Sequence, residues 1–132
     1  MKKVIFVCVH NAGRSQMAEA FARMLGQGKI EAESAGTIPG TQINPMAIIA
    51  MNELGYDLTT HTPKMMTTEM VQSADRIITM GCGVDAEACP VRFLVSEDWG
   101  LDDPKDQPLE KVREIRDQIR VRVENLINEL TQ

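Results

Sequence analysis

Apolar runs of strand length alternate along this chain with longer stretches whose apolar residues recur at helical spacing, and that alternation restricts the fold most. Lys3–Val7 reads as a buried strand. Gln16–Leu25 reads as a helix that buries Met17, Phe21, Met24 and Leu25 and stops at Gly26. Ile30–Ala35 is a second strand candidate. Asn44 and Pro45 open a helix as cap and first-turn residue, with Ala47, Met51 and Leu54 inward and Gly55 at its end. A short helix over Thr68–Ser73 precedes a buried strand at Arg76–Met80, and Val91–Val95 is a fourth strand candidate. The last helix begins near Asp106–Pro108 and runs to about Leu130, with Val112, Ile115, Ile119, Val123, Leu126, Ile127 and Leu130 as its apolar stripe. Lys111, Arg113, Arg116, Arg120 and Arg122 read as its solvated face.

Strands separated by helices imply a parallel sheet covered on both faces. The expected fold is α/β, a single three-layer domain over residues 1–132 with a four-stranded parallel sheet flanked by helices. No repeat, low-complexity tract or Gly/Ser linker divides the 132 residues, and that length supports one core without disulfide staples. In such folds chemistry gathers at the carboxyl ends of strands. Cys8 and Gly81-Cys82 both fall there.

Composition excludes several classes. The chain is 43% hydrophobic and 25% charged, as globular proteins are. No apolar run approaches the roughly 18 residues of a membrane span. The apolar stretch after Lys2-Lys3 is too short for a secretory leader, so a cytoplasmic location is expected. A net charge of −5 argues against nucleic acid or anionic membranes as general partners, so an anionic substrate needs a local cationic site. Three cysteines, an odd number, fit catalytic, redox or metal-binding work in a reducing compartment better than a disulfide framework.

Cys8-Val9-His10-Asn11-Ala12-Gly13-Arg14-Ser15 has the form C-x5-R-S between a strand and a helix start. Such a loop can turn the backbone N–H groups of Val9, His10, Asn11, Ala12 and Gly13 inward, with the helix N-terminus behind them. Gly13 can take a positive φ, and Asn11 tolerates one. Arg14 can bind two oxygens of a tetrahedral anion. The same field favours a Cys8 thiolate, to which Ser15 can add a hydrogen bond. His10 either tunes the cradle's charge or points to solvent, and His61 reads as structural.

This octapeptide resembles the phosphate-binding loop of low-molecular-weight protein tyrosine phosphatases and of the related thioredoxin-coupled arsenate reductases. The similarity spans nearly the whole chain, through Ser15–Ala20, Ser34-Ala35-Gly36, Asn44-Pro45 and Trp99–Pro104. The phosphatases have Pro after Arg-Ser, whereas Gln16-Met17-Ala18-Glu19 resembles the reductase branch. The resemblance implies that Asp103, directly before Pro104, is the general acid. Repulsion between Asp102 and Asp103 is expected to raise one of their pKa values.

Met80-Gly81-Cys82 through Cys89-Pro90 separates the two branches. Hydrolysis of a phosphoester needs one cysteine, whereas reduction of arsenate to arsenite needs two electrons, which disulfide formation supplies. In the expected order, Cys8 forms an arsenic–sulfur adduct and Cys82 attacks Cys8 to release arsenite. Cys89 then takes over Cys82, and external thioredoxin reduces the Cys82–Cys89 disulfide. The reductases it resembles assign these roles to their three cysteines. Inert buried cysteines and half of a zinc site are the alternative readings of the pair, though the spacing is long for zinc. Across a helical 82–89 segment the Cα atoms would lie about 10 Å apart, against ~4.4–6.8 Å in a disulfide. Oxidation is therefore expected to unwind any helix there.

In several such reductases a potassium ion supports the loop, and Asn11, Glu19 and Ser34 are the matching positions here. Lys64 stands where the family has an acidic ligand, so its ammonium is expected to pair with Glu19 and replace the cation. No bound metal or cofactor is expected. The expected partners are arsenate, phosphate or sulfate as competing oxyanions, and thioredoxin, with the chain acting as a monomer. A low-molecular-weight phosphatase is the alternative activity, and a non-catalytic oxyanion or redox sensor is the third.

Overall fold

The computed structural model describes residues 1–81 and 95–132. Its elements, in order, are β1 (Lys2–Cys8), α1 (Arg14–Leu25), β2 (Ile30–Gly36), α2 (Pro45–Asn52), a 3-10 turn (Leu58–Thr60), α3 (Thr68–Ser73), β3 (Arg76–Thr79), β4 (Glu97–Asp98) and α4 (Leu109–Leu130). The strands form one sheet in the order β2-β1-β3-β4. Every pairing in it is parallel. The expected α/β architecture with a four-stranded parallel sheet is therefore present.

Being central, β1 buries both faces, which is why its sequence is a nearly unbroken apolar run. Val4, Phe6 and Cys8 face a cluster with residues of α1, α2 and α4, including Phe21, Met51, Ile115 and Ile119. Ile5 and Val7 face the opposite layer with Met66 and Met70. Asn44 caps α2 as expected, its Oδ1 accepting from Met46 N at 2.9 Å, and the apolar stripe of α4 is buried from Val112 to Ile127, with Leu130 half-buried. Among the described residues, no helix is long and apolar enough to cross a membrane.

Two expectations about buried and solvated faces need correction, and a third lies mostly outside the described residues. Met24 is 39% exposed, so it is not part of the buried face of α1. The expected strand at Val91–Val95 lies, but for Val95, outside the described residues, and the described fourth strand is Glu97–Asp98. It is a two-residue exposed edge strand, so apolar patterning cannot reveal it. Arg116 is not on a solvated face: it is 8% exposed and donates to the Ala50 carbonyl and to Glu53 Oε1, each at 2.9 Å. Together with Arg113, also paired to Glu53, it locks α4 onto the end of α2.

The chain leaves β1 towards β2 on one side and reaches β3 on the other, so the sheet's topological switch lies at the carboxyl end of β1. Cys8 is the last residue of that strand.

Candidate active site

The loop after Cys8 has its carbonyls committed outward. Those of Cys8, Val9, His10 and Ala12 accept from the backbone N–H groups of Thr37, Ile38, Gly40 and Asn44 at 2.7–3.3 Å. The Asn11 carbonyl accepts from Gln16 Nε2 at 3.1 Å, and that of Gly13 from Met17 N at 3.0 Å. In a planar trans peptide the N–H points opposite to the C=O. The amides of Val9, His10, Asn11, Ala12 and Gly13 are thereby turned away from those partners, as an anion cradle requires. The cradle forms the floor of a cleft of about 1030 Å³ whose walls are residues 40–45 and 101–106.

Asn11 takes the positive φ the loop needs, at 52°. Gly13 does not, with φ −139°. Its value is space: a Cβ there would lie 3.1 Å from Pro104 Cγ, so a bare backbone lets the 101–106 wall rest on the cradle. The exposed His10 ring has Nδ1 2.9 Å from the Ile38 carbonyl, which ties the loop to the segment after β2.

Arg14 begins α1 and is 4% exposed. Its NH1 donates to the Leu101 carbonyl at 2.6 Å and to that of Met80 at 3.3 Å, and its NH2 lies 3.8 Å from Asp103 Oδ2. Its buried Nε has no hydrogen-bond partner among the described residues. A planar guanidinium anchored on one side in this way keeps donors for an oxyanion. The adjacent acids divide. Lys111 Nζ sits 2.9 Å from Asp102 Oδ2, and that hydrogen bond and charge hold the Asp102 carboxyl below its ordinary value. The expected repulsion between Asp102 and Asp103 does not raise Asp102, because the lysine answers it. Asp103 is the member that turns towards Arg14.

Beneath the cradle lies a buried polar layer. Asn11 Nδ2 donates to Ser15 Oγ at 2.8 Å, while Asn11 Oδ1 accepts from Gln16 Nε2 at 2.9 Å and Lys64 N at 3.0 Å. Glu19, 2% exposed, accepts from Ser34 Oγ at 2.7 Å and is ringed by Arg23 Nε at 2.9 Å and by Lys64 Nζ and His61 Nδ1, each at 3.5 Å. Burial holds His61 below the ordinary imidazole value, with Arg23 and Lys64 acting in the same direction and Glu19 against them. The Arg23 guanidinium and the Lys64 ammonium thus already place positive charge beside Glu19.

Gln16 and Gly36 belong to the site although sequence reasoning gave them no role. A Cβ at Gly36 would sit 2.7 Å from the Val9 carbonyl and 3.1 Å from Asn11 Cβ, so the cradle packs directly on the end of β2. Gly36→Ala is expected to cost about 1–3 kcal/mol of stability by overpacking and to weaken phosphate binding at the cradle. Thermal melts and a phosphate titration check both effects. An alanine variant with unaltered stability and affinity would show that the contact is not restrictive.

Cys82 and Cys89 lie outside the described residues. Gly81 is described, and it lines the same cleft as Cys8. Its φ is +85°, and a Cβ would lie 2.5 Å from Leu101 N, so glycine is required on both counts.

A cysteine at the switch point, an inward-facing amide loop and a buried Arg over one cleft are the parts of a candidate oxyanion site. The chain belongs to the low molecular weight phosphotyrosine protein phosphatase family, whose model matches residues 3–132. Within it, the chain is 42% identical over 132 residues to the glutaredoxin arsenate reductase of Synechocystis sp., covering 99% of this chain and all of that one. A solved arsenate reductase in the phosphate binding state superposes with a TM-score of 0.86 at 42% identity, covering 98% and 99% of the two chains. A thioredoxin-dependent arsenate reductase from Corynebacterium glutamicum gives 0.78 at 32% identity, covering 98% of this chain and 62% of that one.

Proposed function

We propose that this chain is an arsenate reductase whose Cys8, Cys82 and Cys89 pass two electrons from an external dithiol to arsenate. The observation that carries this reading is that Gly81, the residue before Cys82, lines the cleft that holds Cys8. Among the described lining residues there is no Phe, Tyr or Trp to grip a tyrosine ring, which favours a small inorganic oxyanion. The names of the similar proteins point the same way.

The proposed steps balance. The cradle amides and Arg14 bind arsenate, with phosphate and sulfate as competitors. The Cys8 thiolate, aided by Ser15, displaces one oxygen, which leaves as water with a proton from Asp103. Cys82 thiolate attacks the Cys8 sulfur, and the arsenic–sulfur electron pair stays on arsenic, releasing arsenite and forming a Cys8–Cys82 disulfide. Cys89 attacks Cys82, returning Cys8 as thiolate and leaving a Cys82–Cys89 disulfide. Thioredoxin reduces that bond by exchange and is itself oxidised. The chain works as a monomer in this scheme.

The experiment is arsenite production with thioredoxin, thioredoxin reductase and NADPH, beside a second assay with glutaredoxin and glutathione. Turnover with thioredoxin supports the scheme. Turnover with glutaredoxin alone would support the second reading of the reductant, which the Synechocystis relative's name favours. No arsenite in either assay, with phosphoester hydrolysis retained, would make the chain a phosphatase.

Lys64 beside Glu19 carries a further expectation. Replacing sodium by potassium at equal ionic strength should leave arsenate turnover unchanged within about twofold, since the ammonium already supplies the positive charge. A several-fold gain with potassium would contradict that role for Lys64.

A further inference from the structure

The polar layer under the cradle has a direction. Gln16 is fully buried, and its Nε2 lies 2.9–3.2 Å from three acceptors: the Asn11 side-chain oxygen, the Asn11 carbonyl and the Thr62 carbonyl. Carbonyl oxygens only accept, so this end of the amide must be NH2 and the other end must be the oxygen. That oxygen faces His61 Nδ1 at 2.8 Å, which requires the proton on Nδ1. In the neutral ring Nε2 then accepts, and its neighbour at 2.7 Å is the Tyr56 hydroxyl, which must donate. On the cradle side, Asn11 Oδ1 already receives Gln16 and the Lys64 amide. Asn11 Nδ2 is therefore the end that donates to Ser15 Oγ. Ser15 accepts there and keeps its own proton to give.

We propose that Gln16 is a positioning residue of the reaction, holding the Asn11 amide so that Ser15 is left to donate towards the Cys8 sulfur, with His61 and Tyr56 as the outer members of one hydrogen-bond relay. The relay runs from Tyr56 through His61, Gln16, Asn11 and Ser15. It also holds Asn11 at its positive φ from below, through side chain and carbonyl together. The charged groups facing the outer members are Glu19, Arg23, Lys64 and Asp57. They surround His61 without entering the chain of donors between Gln16 and Ser15. The inference deepens the proposed function only in taking Cys8 as the nucleophile, and it stands whether the oxyanion is arsenate or a phosphoester.

The test reads the Cys8 thiolate directly. The reduced full-length chain is alkylated with iodoacetamide across pH, and the Cys8 peptide is followed by mass spectrometry. Gln16→Leu should raise the midpoint of Cys8 alkylation by about one pH unit, a roughly tenfold smaller thiolate fraction at neutral pH. His61→Asn, whose amide can donate in place of Nδ1, should titrate close to the parent, while His61→Phe should shift upwards. Tyr56→Phe, which removes one hydroxyl, should shift in the same direction by less. A folded Gln16→Leu variant with unmoved Cys8 titration would overturn the proposal, as would equal midpoints for His61→Asn and His61→Phe. Absence of arsenite production by the parent, with this pattern intact, would overturn the reductase reading and leave the relay standing.

Discussion

Cys82→Ser and Cys89→Ser should each lower steady-state arsenate reduction by about a thousandfold or more, while hydrolysis of a small aryl phosphate stays within about twofold of the parent. The split follows from chemistry. Phosphoester hydrolysis uses the cradle, Cys8, Arg14 and an acid, and water completes it. Arsenate reduction ends only when two thiols have become a disulfide, so losing either later sulfur stops turnover. The two variants should differ within one turnover. Cys89→Ser can still release one arsenite per chain, whereas Cys82→Ser stalls at the adduct. Steady-state and single-turnover arsenite assays read both differences. Catalytic turnover with thioredoxin in either variant would show that electrons take another route.

Asp103→Asn should give a different pattern, depressing both activities by about a hundredfold to a thousandfold, because both need a proton on a departing oxygen. Asp102→Asn is the control. Asp102 is held by Lys111, and only Asp103 turns towards Arg14. The variant without the Asp102 carboxylate should stay within about threefold of the parent, since an exposed pair of this kind contributes little. Rates measured across pH should also show the Asp103→Asn variant losing the high-pH limb that a general acid produces. Equal losses in the two variants would remove the distinction between the neighbouring carboxylates.

The central strand was legible because its burial on both faces leaves an unbroken apolar run, and α4 because its stripe recurs at helical spacing. Asn44-Pro45 marked the start of α2 through capping chemistry that acts locally. The features that escaped depend on contacts between distant residues. Glu97-Asp98 is a strand only because β3 lies beside it. Arg116 turns inward because Glu53 and the Ala50 carbonyl wait at the end of α2, which no periodicity within α4 reports. Gly36 is spacing for a loop 27 residues away in sequence, Val9. Gln16 looked like one letter of a family pattern, and its place between Asn11 and His61 emerges only when the segment around residue 61 packs against α1. Within the candidate site, the cradle, Arg14 and the pairing of Lys64 with Glu19 were readable from sequence, because C-x5-R-S is contiguous and the family pattern located the remaining positions.

The most direct measurement is a single turnover of the Cys89→Ser variant with excess arsenate and no external thiol, followed by peptide mapping under non-reducing conditions. One arsenite should be released per chain, with a covalently linked pair of peptides containing Cys8 and Cys82. Arsenite release with Cys8 and Cys82 still unlinked, or with Cys82 joined only to another copy of the chain, would contradict this order.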